Sequence, residues 1–373
     1  MHRTETIIRR FPLVPRPRPL CSPLAERVAN LRSQVGAARC GGRVAASAVL
    51  NQAALVASDC GLPDVARAWC QRHARLYLRA GPLDAAATRS ALEPLVNLAR
   101  LHIRDGDGDT AFHILDELYH AVTARTDTTV EGITVPAVTL VANGADYDHV
   151  RTWLWTVHLS DGTRALTTAG RWHDAYQHVR RRNGVGTRML DGRQVAIIDH
   201  LANGEPDGAL TLVRGTALGE PWETAVTACL AMMCQYALGD SIRQATADVI
   251  DLYQQLTVTP NLTVFHTRLG LTTIDLASAT HRAAADHVAR ELARRTIEAG
   301  DGYAARDLLS HDRCTSLLTD YQEHQLAGIV DTAGLGGRIL PAELSSCVNA
   351  AEEVSSHSLA MTNHSVQYGE LRF

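Results

Sequence analysis

Lysine is absent from the 373 residues, so all 36 basic side chains are arginine. That absence excludes a P-loop lysine on a phosphate, a Schiff base to a carbonyl or pyridoxal cofactor, and a kinase-type ATP lysine. Arginine can still grip a carboxylate or phosphate through two parallel N–H groups, so anionic ligands stay open. The 8 cysteines include no C-x-x-C pair, and several fall on apolar helical faces, where they are expected as reduced core thiols. No run of about 18 apolar residues occurs that would span a bilayer. The first residues, "MHRTETIIRRFPLVPRPRPLC", lack a continuous apolar stretch. The expectation is a cytoplasmic chain without a membrane partner.

Several motifs are also missing. There is no G-x-S-x-G, no H-E-x-x-H, and no G-x-G-x-x-G after a strand. "DGDGDT" at 105–110 resembles the start of a calcium loop, but Thr110 stands where that loop needs glycine and Asp116 where it needs glutamate. His311, Asp312 and Cys314 in "HDRC" are too close in sequence to converge from one helix. No metal, cofactor or catalytic set is expected. The net charge of -4 gives no whole-chain attraction to nucleic acid, and direct nucleic-acid binding is not expected. The exclusive use of arginine looks like the codon bias of a high-GC, actinobacterial genome.

What is present is a repeat. Hydrophobic residues at 46 % and charged residues at 20 % describe a folding chain, and Ala, Leu and Arg recur at helical period from about residue 44 to 345. A turn glycine is followed five residues later by alanine at Gly61/Ala66, Gly106/Ala111, Gly170/Ala175, Gly204/Ala209 and Gly300/Ala305. Ala54, Ala99, Thr163, Ile197 and Ala293 stand seven residues before those glycines. Such glycines end a helix in a left-handed conformation, and small residues let the two helices of a hairpin approach. Gly170 to Gly204 is 34 residues and Gly239 follows 35 later, whereas the intervals of 45, 64 and 61 elsewhere require insertions. "GTRALTTAGRWHDAYQHV" resembles the middle of a tetratricopeptide repeat, with Gly170 and Ala175 on that family's small positions. Thr163 departs from the pattern. Gly239 does too, with Gln244 where alanine is expected.

The resemblance implies an all-α superhelix of antiparallel hairpins, an α-solenoid, over residues 44–345. A Pro/Arg-rich arm and first helix (1–43) precede it. A polar, Ser-rich tail (346–373), expected to be disordered, follows. "TDTTVEGITVPAVTLVANGADYD" interrupts the helical pattern, and a long loop or small hairpin is expected near 127–149.

In such arrays the first helix of each hairpin lines a concave groove. Counting back from the turns places there Asn51, Asn97, Arg100, Arg104, Asp161, Arg164, Gln194, Arg290 and Arg294. "RTWLWTVHLSDGTRAL" adds Trp153 as an aromatic anchor. "GTRMLDGRQ" gathers Arg188, Asp191 and Arg193, and "PNLTVFHTRLGL" brings His266 and Arg268 into an apolar context, where an arginine needs a carboxylate or ligand anion. The expected function is a non-catalytic binding module for a peptide or protein. The alternatives are an accessory protein enclosing a small anionic metabolite and an enzyme on a helical scaffold.

Overall fold

The computed structural model describes residues 6–369, with the backbone alone at Gly41 and 362–369. Helix accounts for 72 % of the chain, and one two-stranded ribbon is the exception, so the fold is all-α. In chain order the elements are α1 (Leu24–Asp59), α2 (Pro63–Leu78), α3 (Ala85–Arg104), α4 (Gly108–Ala124), β1 (Thr128–Val130), β2 (Ile133–Val135) and α5 (Gly144–Thr168). Then come α6 (Trp172–Arg180), α7 (Asp191–Ala202), α8 (Pro206–Arg214), α9 (Pro221–Leu238), α10 (Arg243–Gln254) and a 3-10 turn (Pro260–Leu262). The last are α11 (Thr263–Ala277), α12 (Arg282–Ala299), α13 (Gly302–Leu309), α14 (Asp312–Thr315), α15 (Asp320–Thr332) and α16 (Ala342–Gly369).

Local chemistry sets the helix ends. Asp84, Asp107, Asn143 and Asp301 accept a backbone N–H from the first turns of α3, α4, α5 and α13. Proline occupies the first turn of α2, α8 and α9, where its missing N–H costs no intrahelical bond. The acidic loop at 105–110 is thus a helix junction: Gly106 turns the chain and Asp107 caps α4 through Thr110 N–H at 3.1 Å.

The chain folds into two compact units, each built from two separate segments. Unit 1 takes the chain up to Pro23 together with Gly170–Ala333; unit 2 takes Leu24–Ala169 together with the chain from Gly334. The boundary between Ala169 and Gly170 falls within the stretch expected as a repeat array. Within each unit, helices pack on their sequence neighbours, and alternate helices also pack side by side. In unit 2 α1 lies against α3 and α3 against α5; in unit 1 α7, α9, α11 and α13 form the corresponding row.

The turn glycines fall where the repeat phase places them. Gly61, Gly106, Gly170, Gly204, Gly239 and Gly300 all have φ between 61° and 84°. The partners Ala66, Ala111, Ala175, Ala209 and Ala305 are buried, as are Ala54, Ala99, Thr163, Ile197 and Ala293. Gln244 is exposed and bonds Asp248 on its own helix at 2.9 Å.

The ends of the chain differ from expectation. Ile7, Phe11 and Leu13 of the arm are buried in the core of unit 1. The Ser-rich tail is helical as far as Gly369, and 370–373 lie outside the described residues: Leu344, Cys347, Val348, Ala351, Ser355 and Leu359 of α16 are buried, and α16 packs along α1. The insertion is a hairpin, with Val130 paired to Ile133 across a Glu131–Gly132 turn of positive φ, and it packs on α2 and α4. Among the described residues no helix is long and apolar enough to cross a membrane.

Candidate functional site

Unit 2 brings together most of the residues that counting from the turns selects. The first helices α1, α3 and α5 lie side by side, and a polar ladder crosses them. Asn97 donates to the Asn51 side-chain oxygen at 2.9 Å and accepts from Arg100 at 3.0 Å. Arg100 then reaches Asp161 on α5 through Nε at 3.1 Å and a terminal nitrogen at 2.8 Å. The Asp161 side chain is 7 % exposed and that of Arg100 40 %, so a buried carboxylate holds a guanidinium that still faces water.

One turn further along, Arg104 bonds Asp59 at 2.8 Å and the Ser58 hydroxyl at 3.1 Å. Arg27 takes the other Asp59 oxygen at 2.8 Å. Near the opposite end, Arg89 of α3 stacks over the half-buried Trp153 ring of α5, 5.2 Å from its centroid. The order of these pairs gives the geometry. Asn51 meets Asn97 before Asp59 meets Arg104, and Trp153 meets Arg89 before Asp161 meets Arg100, so the three helices run parallel. Arg164 is exposed one turn beyond Asp161.

The matching residues of unit 1 serve its own structure. Arg188 grips Glu223 through Nε at 2.8 and 3.1 Å and through a terminal nitrogen. The same carboxylate accepts the Met189 and Glu220 N–H groups, each at 3.1 Å. This set of donors, Arg188 first, holds the Glu223 carboxyl below its ordinary range. Arg193 is buried without a carboxylate. Its guanidinium donates to the Gly186 and Leu212 carbonyls at 2.6 Å each and to the Thr216 hydroxyl at 2.9 Å, so neutral oxygens satisfy it. Burial lowers its pKa.

Arg268 pairs with Asp307 at 3.0 Å. Burial first, then the Arg295 charge, pushes the His266 imidazole down to about 4. Its Nδ1 is buried with no hydrogen-bond partner. Arg290 and Arg294 lie outside the row of first helices. They sit on α12, the second helix of its hairpin, because the turn before it is Ser278–Thr280 and carries no glycine for the count to find. Arg294 is clasped by Glu291 and Glu298 of its own helix, which raises its pKa and holds Glu291 down to about 2.

Asp191 and Gln194 of α7 have partners that sequence reasoning missed. Gln194 is fully buried; its oxygen accepts the Leu13 N–H at 2.7 Å and its nitrogen donates to the Leu13 carbonyl at 2.9 Å. Asp191 pairs with Arg16 at 2.7 Å. Asp275 of α11 takes Arg10 at 2.6 Å and His311 at 3.1 Å. Nothing local in the sequence marks the pairs with the arm, since their members stand more than 170 residues apart.

Seven of the eight cysteines are buried, Cys40 being exposed, and burial pushes the Cys70, Cys229 and Cys314 thiols up to about 12, far from a thiolate. Among the described residues no three His, Cys, Asp or Glu side chains stand together as metal ligands. A surface groove of about 480 Å³ between α9 and α10, lined by Thr224, Thr227, Asp248, Asp251 and Gln255, contains no histidine and none of the sequence-selected residues. No family model, curated protein or solved structure matches the chain.

Proposed function

We propose that the chain is a tetratricopeptide-like binding module, and that the face formed by α1, α3 and α5 docks an extended segment of a protein partner. The observation that carries this reading is the parallel ladder Asn51–Asn97–Arg100–Asp161, with Trp153 and Arg104 toward its two ends. Carboxamides can both donate to and accept from a peptide backbone, and the ladder uses only the oxygen of Asn51. The guanidinium groups of Arg100 and Arg104 are already matched to Asp161 and Asp59. A charge-balanced surface of this kind favours a mixed polar and apolar segment over a small anion, which would need unmatched arginines.

Selecting binders from a random peptide library on the full chain tests the proposal. Enriched peptides should lose at least about tenfold in affinity, near 1.4 kcal/mol, for Asn97→Ala, Arg100→Ala or Trp153→Ala. The melting curves of the variants should show that they remain folded. A library that yields no binder, or binders indifferent to all three substitutions, sinks the reading.

A further inference from the structure

The arm of unit 1 has the form of a bound peptide. Residues 11–21 carry prolines at 12, 15, 17 and 19, which keep the chain extended at small entropic cost. Its backbone is held by side chains and backbone groups of the surrounding helices and turns and not by pairing into a sheet, the Arg18 N–H donating to the Asn261 carbonyl at 3.1 Å. Buried Gln194 closes on both the N–H and the carbonyl of Leu13. Buried Asp301 accepts the Cys21 N–H at 2.8 Å, and Gly302 N–H donates to the Cys21 carbonyl at 3.0 Å. Recognition of that kind is indifferent to arm side chains, as in peptide-binding grooves.

Selectivity is added by apolar sockets and by charge. Ile7, Phe11 and Leu13 enter the core, while Asp275 takes Arg10, Asp191 takes Arg16, and the Tyr303 ring takes Arg18 at 4.8 Å. The acceptors come from α7, α11 and α13, three helices of the same row.

We propose that unit 1 is a receptor for an extended, basic, proline-interrupted peptide segment of another protein, and that residues 7–21 occupy it as a ligand in cis that such a segment displaces. This deepens the binding-module reading and rests on it, but it names a second site and its ligand. Tethered within the chain, the arm has an effective concentration of order mM, so an untethered competitor is at a disadvantage until the tether is cut.

The test uses the full chain with a protease site introduced between Ser22 and Pro23, cleaved after folding, and a fluorescent peptide of residues 6–22. The nicked protein should exchange its arm for the peptide, with an affinity at least about a hundredfold above that of the uncut chain. Gln194→Ala in the nicked protein, or Phe11→Asp in the peptide, should weaken binding tenfold or more. A nicked protein that keeps its arm against a hundredfold excess of peptide, or that unfolds on cleavage, shows the arm to be a permanent part of the core and overturns the proposal. Uncut chain that dimerises in light scattering and takes up no peptide would assign the groove to a second copy, which overturns it equally. Peptide lost on Arg100→Ala but not on Gln194→Ala would place it on unit 2, overturning this inference while leaving the binding-module reading standing.

Discussion

At the scale of single residues, partners distant in the chain are what the sequence does not reveal. Gln194 was legible as an inward-facing polar group, but the backbone it grips lies 181 residues away. Arg193 was legible as one of three charged residues close together with Arg188 and Asp191, yet in the structure it is buried and carbonyl oxygens satisfy it. His73 on α2 carries the clearest pH consequence. It is buried between the Ser47 hydroxyl, at 3.1 Å, and the Tyr77 ring, and burial lowers its pKa from 6.5 to about 3. The folded chain therefore holds it neutral, while the unfolded chain takes up a proton below about pH 6.5. Its contribution to stability is intact above that value and declines as pH falls toward 3, by up to about 1.4 kcal/mol per pH unit. Urea melts between pH 7 and 4 should show this slope for the parent chain. His73→Gln should remove about one proton's worth of it while losing about 1 kcal/mol at pH 7 from the altered packing. An unchanged slope in the variant would show that His73 is not the group responsible.

At the scale of elements, the hairpin repeat was legible because its turns demand a conformation that glycine alone adopts freely. The closest approach in one of those hairpin junctions, however, is made by a glycine that the repeat pattern did not select. Gly108, at the start of α4, has open backbone geometry, but a Cβ there would stand 2.1 Å from the Ala165 carbonyl oxygen and 2.6 Å from the Ala169 nitrogen. Gly106, two residues earlier, has φ 84° and nothing within 4 Å of its would-be Cβ. The two therefore differ in mechanism: Gly106→Ala strains a turn, and Gly108→Ala drives α4 off the end of α5. Expected losses are about 1 kcal/mol for the first and about 1–3 kcal/mol for the second. Denaturant melts check the magnitudes. Only Gly108→Ala should speed amide exchange at the carboxyl end of α5, and equal exchange in both variants would remove the distinction. The same scale explains the misplaced Arg290 and Arg294, since a hairpin turned at Ser278–Thr280 without glycine shifts the helix count by one.

At the scale of the whole molecule, the two ends of the chain were the least legible parts and turn out to complete units built mostly from distant residues. Composition made them obscure: prolines suggest a free arm and serines a free tail, whereas burial depends on spacing. Leu344, Cys347, Val348, Ala351, Ser355 and Leu359 follow the three-and-four period of a helical stripe. That stripe closes over α1, and the Ser355 hydroxyl lies 3.1 Å from the Tyr77 hydroxyl on α2. Arg72 of α2 adds an ion pair to Glu352. Removing the chain from Pro341 onward would therefore uncover apolar surface of α1 and take the Ser355 partner from the Tyr77 hydroxyl. With about 2 kcal/mol at stake for each large apolar side chain uncovered, the damage should begin where the stripe sat. Hydrogen exchange on the truncated chain is expected to rise first along α1 and α2, some 300 residues from the cut in sequence. Leu344→Asp should reproduce the same pattern in the full-length chain. Protection of α1 and α2 that survives both changes would mean that α16 is a passenger on unit 2 and not part of its core.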